Sequence, residues 1–144
     1  MCAKPARMDR KLTYLTALLG FTGVAFGAFG AHGLKKFVAE LPDAADRLAW
    51  WETGARYHLI HALAVGLVAV LAAHVAGRFP AWAAWSFAVG IILFSGSLYT
   101  MALTGLRPLG AVTPRGGVAF LLGWLAIGLA ARKLGVEGPR PGEP

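Results

Sequence analysis

Three histidines offer the first chemistry in this chain. His58 and His61 stand at i and i+3 and so share a helix face, while His32 closes an earlier apolar run that would bring it to the same end of the molecule. An imidazole so placed can donate and accept hydrogen bonds, carry a proton or ligate a metal. Glu52, Arg56 and Tyr57 lie just upstream of the pair, Ser95, Ser97 and Tyr99 share a later stretch, and Thr113 opens another. The same residues also set limits. No Ser-His-Asp arrangement, phosphate loop or pair of catalytic carboxylates can be assembled from them, and the histidine spacing matches no metal signature. Cys2 is the single cysteine, which rules out an intrachain disulfide. No catalytic, cofactor-binding or metal residue is therefore assigned, and a non-enzymatic protein is expected.

The elements that must position these groups are four apolar stretches, at about 12–31, 57–76, 81–103 and 116–131. About twenty residues at 1.5 Å of rise each cross a hydrocarbon core of about 30 Å. Hydrophobic residues make up 57% of the 144 and charged residues only 15%, too little polar surface for a soluble domain of this size. Lys4, Arg7, Arg10 and Lys11 before the first stretch could open a cleavable signal, but the run is span-length and its small residues continue to Gly30-Ala31, so a retained span is expected. The expected fold is all-α: a four-helix transmembrane bundle spanning 12–131, between a basic tail at 1–11 and a disordered Gly/Pro-rich tail at 132–144. Pro42-Asp43 reads as the start of a short interfacial helix between spans one and two. Asp43 would cap it, and Trp50 and Trp51 would lie at headgroup depth.

The net charge of +7 is scattered between the spans, which argues for topology determinants and against nucleic acid. Running odd-numbered spans outward puts eight Lys and Arg on the cytoplasmic side and six outside, so both termini are expected in the cytoplasm of a multi-pass membrane protein.

In that topology His32, Tyr57, His58, His61, Ser95, Ser97, Tyr99 and Thr113 converge on one leaflet as a candidate polar layer. Polar groups at membrane depth face the bundle, where they serve a structural network, a ligand or proton site, or a metal. His61 is expected to face inward and bond Ser95, Ser97 or a backbone carbonyl. A second pattern is a glycine row, Gly20, Gly23, Gly27 and Gly30, on one face of span one, where a helix can approach closely.

Taken together, Gly27-Ala28-Phe29-Gly30-Ala31-His32-Gly33-Leu34, Trp51, Thr53-Gly54, Tyr57, His61-Ala62-Leu63, Phe94-Ser95-Gly96-Ser97-Leu98-Tyr99, Thr113-Pro114, Gly116-Gly117 and Gly123-Trp124 resemble the bacterial inner-membrane family of domain of unknown function 423, with transmembrane protein 256 as its eukaryotic relative. The resemblance runs from about Leu12 to Ala131. It implies a four-helix membrane protein and no established activity, and it associates glutamine with the position that His58 occupies. The function expected is an oligomer, or an accessory subunit of a larger membrane complex, in the lipid bilayer. The alternative is a small-solute or proton pathway through the polar layer around His61.

Overall fold

The computed structural model describes residues 9–75, 77–132 and 134. Residues 1–8 of the expected basic tail, with Cys2, Lys4 and Arg7, the end of the second apolar stretch at Ala76, and all of the expected disordered tail except Arg132 and Leu134 lie outside them. Among the described residues four helices are long and apolar enough to cross a membrane: α1 (Arg10–Phe37), α2 (Ala44–Leu71), α3 (Phe79–Thr104) and α4 (Arg107–Ala131).

Local chemistry sets their ends. Asp9 caps α1, its carboxylate accepting from the Lys11 amide at 2.8 Å. Pro80 falls in the first turn of α3, and Pro114 in the first turn of the α-helical part of α4, Thr113–Ala131, where a missing N–H costs nothing. Gly105 ends α3 at φ +77°, a left-handed cap in which its amide donates to Met101 O at 2.8 Å. With no water at depth, hydroxyls in the spans turn back on their own helix. Thr16 donates to Leu12 O and Thr100 to Gly96 O, each at 2.8 Å.

The helices overrun the apolar stretches that announce them. α1 continues through a π-helical turn at Gly30–Leu34 to Phe37, because neither Gly30 nor Gly33 is enough to break it. The segment after Pro42 is helical from Ala44 and runs without a break into the second span. Asp43 does not cap it: its carboxylate takes the Arg47 Nε–H at 2.8 Å, and this bond holds its carboxyl below the usual carboxylate range. Arg47 also donates to the Ala102 and Leu103 carbonyls at 3.3 and 3.2 Å, satisfying the last turn of α3. Arg107, which opens α4, pairs with Asp46 in the first turn of α2 at 3.0 Å, and this ties the loop before α2 to the loop before α4 at one end of the bundle.

α3 packs on α4 through reciprocal glycines. A side chain at Gly90 would collide with the Phe120 ring, one at Gly123 with Phe87, and one at Gly116 with the backbone of Phe94. Each helix thus offers glycine hollows to the other's phenylalanines, the close approach on which association in lipid depends. One apolar cluster, around Val65, Val68, Phe87 and Phe120, fills the half of the bundle toward the Arg78 turn. A second, around Leu34, Val38, Trp51 and Tyr99, fills the half toward the tied loops.

Candidate functional site

Between those two clusters on α2 lie His58 and His61, with only 3% and 4% of their surface exposed. His61 points inward, stacked face to face on Phe120 with centroids 3.5 Å apart and planes 6° apart. Its Nδ1 is 2.8 Å from the Tyr57 carbonyl, which can only accept, so Nδ1 carries the proton. Nε2 is then an acceptor, and the Trp124 indole N–H, a donor only, faces it at 3.4 Å. Both ring nitrogens are used.

His58 joins a different group. Its Nδ1 lies 3.3 Å from the Tyr99 hydroxyl and its Nε2 3.3 Å from the Thr22 hydroxyl of α1, linking three helices through one ring. Aromatic edges close round it: Phe26 meets Tyr99 at 4.9 Å and His58 at 6.1 Å between centroids. A third pair joins α3 to α4. Ser97 and Thr113 share a 2.8 Å hydroxyl contact, and Ser97 also donates to Phe94 O at 2.9 Å.

The expected single layer is therefore three separate groups. His61 bonds a backbone carbonyl, one of its three expected partners, because the carbonyl one turn back lies beneath its ring; neither Ser95 nor Ser97 reaches it. Tyr57, the source of that carbonyl, is 40% exposed, with its own ring against Phe94 at 4.5 Å. Ser95 is fully buried at the end of a π-helical turn, Ile91–Ser95, and its hydroxyl has no partner among the described residues. His32 does not join the layer. It follows Gly30 by two residues, about 200° round a helix, and is exposed where Leu34 turns into the core. Among the described residues no three His, Cys, Asp or Glu side chains are grouped to hold a metal.

The glycine row also divides. A side chain at Gly23 would lie 2.8 Å from Leu59, and one at Gly30 would strike the Trp51 ring, whereas Gly20 and Gly27 have nothing within 4 Å. At about 100° per residue Gly23 and Gly30 coincide within about 20°, and Gly20 and Gly27 form a flank about 40–80° away. Only the first pair packs on α2.

Sequence reasoning did not pick out Thr22 or Trp124 as partners, nor Gly90 and Gly123 as packing positions. Thr22 adjoins Gly23 on the face that meets α2, and that adjacency was the available signal for it. Trp124 lies one residue from Gly123, where α4 meets the Phe87 ring of α3.

Fold and site together define a small four-span membrane bundle whose buried polar groups pair across helices. The chain belongs to the family described as Protein of unknown function (DUF423), which it matches over residues 26–117. It is 45% identical over 120 residues to the UPF0382 membrane protein YwdK of Bacillus subtilis (strain 168), covering 83% of this chain and 94% of that protein. It is 41% identical over 133 residues to the UPF0382 inner membrane protein YgdD of Escherichia coli (strain K12), covering 90% and 95%. A UPF0382 membrane protein of Haemophilus influenzae is 39% identical over 126 residues, covering 88% and 97%. No solved structure matches.

Proposed function

We propose that this protein is a non-enzymatic subunit of the inner membrane, assembled either with copies of itself or into a larger membrane complex, with α1 as the contact helix and both termini in the cytoplasm. The observation that carries the reading is the exposure of α1. Only 11% of its most apolar stretch is buried, against 56% in α3, and its Gly20 and Gly27 flank is open. The name of the Escherichia coli relative supports the inner membrane. The polar groups also favour an assembly role, since His58, His61, Ser97, Tyr99 and Thr113 are spent on partners inside the bundle. A proton or solute pathway through His61 has less support, because both its nitrogens are taken and Phe120 covers one ring face.

The test is the native mass of the assembly extracted in nanodiscs, with its components identified. A particle heavier than one protomer, reduced by Gly20→Leu, is expected; a lone protomer without partners overturns the reading. Orientation is checked by cysteine scanning with Cys2 removed. Asp46 and Arg107, already joined by an ion pair, should label from outside and Arg78 from inside. Labelling of positions 46 and 78 from the same side refutes it.

A further inference from the structure

Glu52 and Arg56 stand on consecutive turns of α2 and pair at 2.9 Å on the outside of the bundle, with 72% and 64% of the two side chains exposed. Their depth makes this costly. The Gly30–Trp51 and Gly23–Leu59 contacts set the level of α2 against α1 and put Arg56 close to that of Phe26, from which α1 continues about 16 Å to Phe37. Along α2 itself Arg56 lies about 7.5 Å deeper than Trp51. A charged group that faces lipid at such depth is expensive, and those that occur face protein. The pair also has capacity to spare. Its one hydrogen bond runs from Arg56 Nη2 to Glu52 Oε1, so Glu52 Oε2 and the Nε and Nη1 donors of Arg56 have no partner among the described residues. Leu63, Leu67 and Val70 continue the same exposed face deeper, all within about 60° of Glu52. Beside it a groove of about 530 Å³ opens between α1 and α2 and takes in Gly27, where a Cβ would meet nothing within 4 Å.

We propose that this face is a two-fold interface between two copies of the chain, in which Arg56 of each copy also pairs with Glu52 of the other. The proposal rests on the assembly reading and names its contact, which adds α2 to α1 and takes a second copy as the occupant. The order of the charges selects that occupant. Copies inserted the same way round are related by an axis along the bilayer normal, so both Glu52 side chains start at one height and both Arg56 side chains about 6 Å deeper. An acid and a base one turn apart on one patch are then self-complementary, each acid meeting the other copy's base, and the contact closes at two. A partner presenting one sign of charge would leave a member of the pair unmatched. The open groove at Gly27 gives the second α2 room to approach.

The experiment is co-purification of two differently tagged full-length copies, expressed together and extracted in a mild detergent. Parent should capture parent. Arg56→Glu should capture itself about tenfold less, and Glu52→Arg likewise, because like charges then face each other. Arg56→Glu expressed with Glu52→Arg should recover the parent yield. Each of these variants has lost the pair within its own chain, so opposite charges can meet only between copies. A mixed pair captured no better than the like pairs overturns the proposal, and is the result expected of side chains that reach separately to the headgroups. If the parent is still a particle heavier than one protomer, that result removes this contact alone; a lone parent protomer removes the assembly reading with it. Should the charge variants fail to fold, cross-linking decides. With Cys2 removed, oxidation should join copies through Leu63→Cys on the proposed face, and not through Leu121→Cys, which is similarly exposed near the same depth on α4. No cross-link at position 63, or equal cross-linking at both, overturns the proposal.

Discussion

Replacing His61 separates two interactions that the structure lays over one ring. The imidazole accepts the Trp124 N–H at 3.4 Å and stacks on Phe120 at 3.5 Å. Hydrogen bonds between membrane helices average about 0.6 kcal/mol, and the length of this one places it no higher. An aromatic pair contributes about 0.5–1.5 kcal/mol beyond its buried area. His61→Phe keeps a stacking ring and loses the acceptor, together with the Nδ1–H donated to the Tyr57 carbonyl, an oxygen that the backbone of its own helix still engages, so it should cost about 0.6 kcal/mol. His61→Gln keeps an acceptor and loses the stack, costing about 0.5–1.5 kcal/mol. His61→Leu loses both, and should cost about 1–2 kcal/mol. The assay is reversible unfolding in mixed micelles of increasing SDS fraction, followed by far-UV circular dichroism so that Trp124 is not itself the probe. In a Trp124→Phe background the Phe variant should add almost nothing. A Leu variant as stable as the parent refutes the reasoning, and so does a Phe variant that loses as much as Leu.

Two further outcomes follow from the helix contacts and the tied loops. Gly90→Leu and Gly123→Leu should each destabilise by about 1–3 kcal/mol, as overpacked cores do, while Gly20→Leu leaves folding unchanged; thermal aggregation in detergent measures the difference. Asp43, whose carboxyl the Arg47 bond holds below its ordinary range, contributes stability that is present above the unfolded value of about 3.9 and is lost as pH falls through the lower folded value. Melting temperature should therefore drop on acidification below about pH 4, and Asp43→Asn should lose that part of the dependence.

The bundle was legible because lipid demands it: span-length apolar runs and scattered basic residues leave few other arrangements. Which residues touch was less so. His61 could be aimed inward from its depth, but its bond to its own helix depends on side-chain rotation, which spacing does not report. Gly20, Gly23, Gly27 and Gly30 read as one row because three- and four-residue steps look alike, yet the about 40–80° between the two pairs decides that Gly23 meets Leu59 and Gly27 meets nothing. Gly90 and Gly123 form no row at all, and their role exists only once the opposing Phe120 and Phe87 are in place.

The π-helical turn at Ile91–Ser95 divides α3 into two lengths that keep separate angular settings. Before it, Gly90 and Phe87 address α4; after it, Tyr99 reaches back to His58. Such a turn amounts to one surplus residue inside an α-helix. The chain can therefore shed a residue here, Leu93 for example, and close into continuous α-helix with both settings kept. The same deletion at Ala88 would swing one length against the other by about 100° and separate Phe87 from its hollow. Within this helix, tolerance to a shortened reading is concentrated in five positions, and the last of them, Ser95, carries the one buried hydroxyl left without a partner among the described residues.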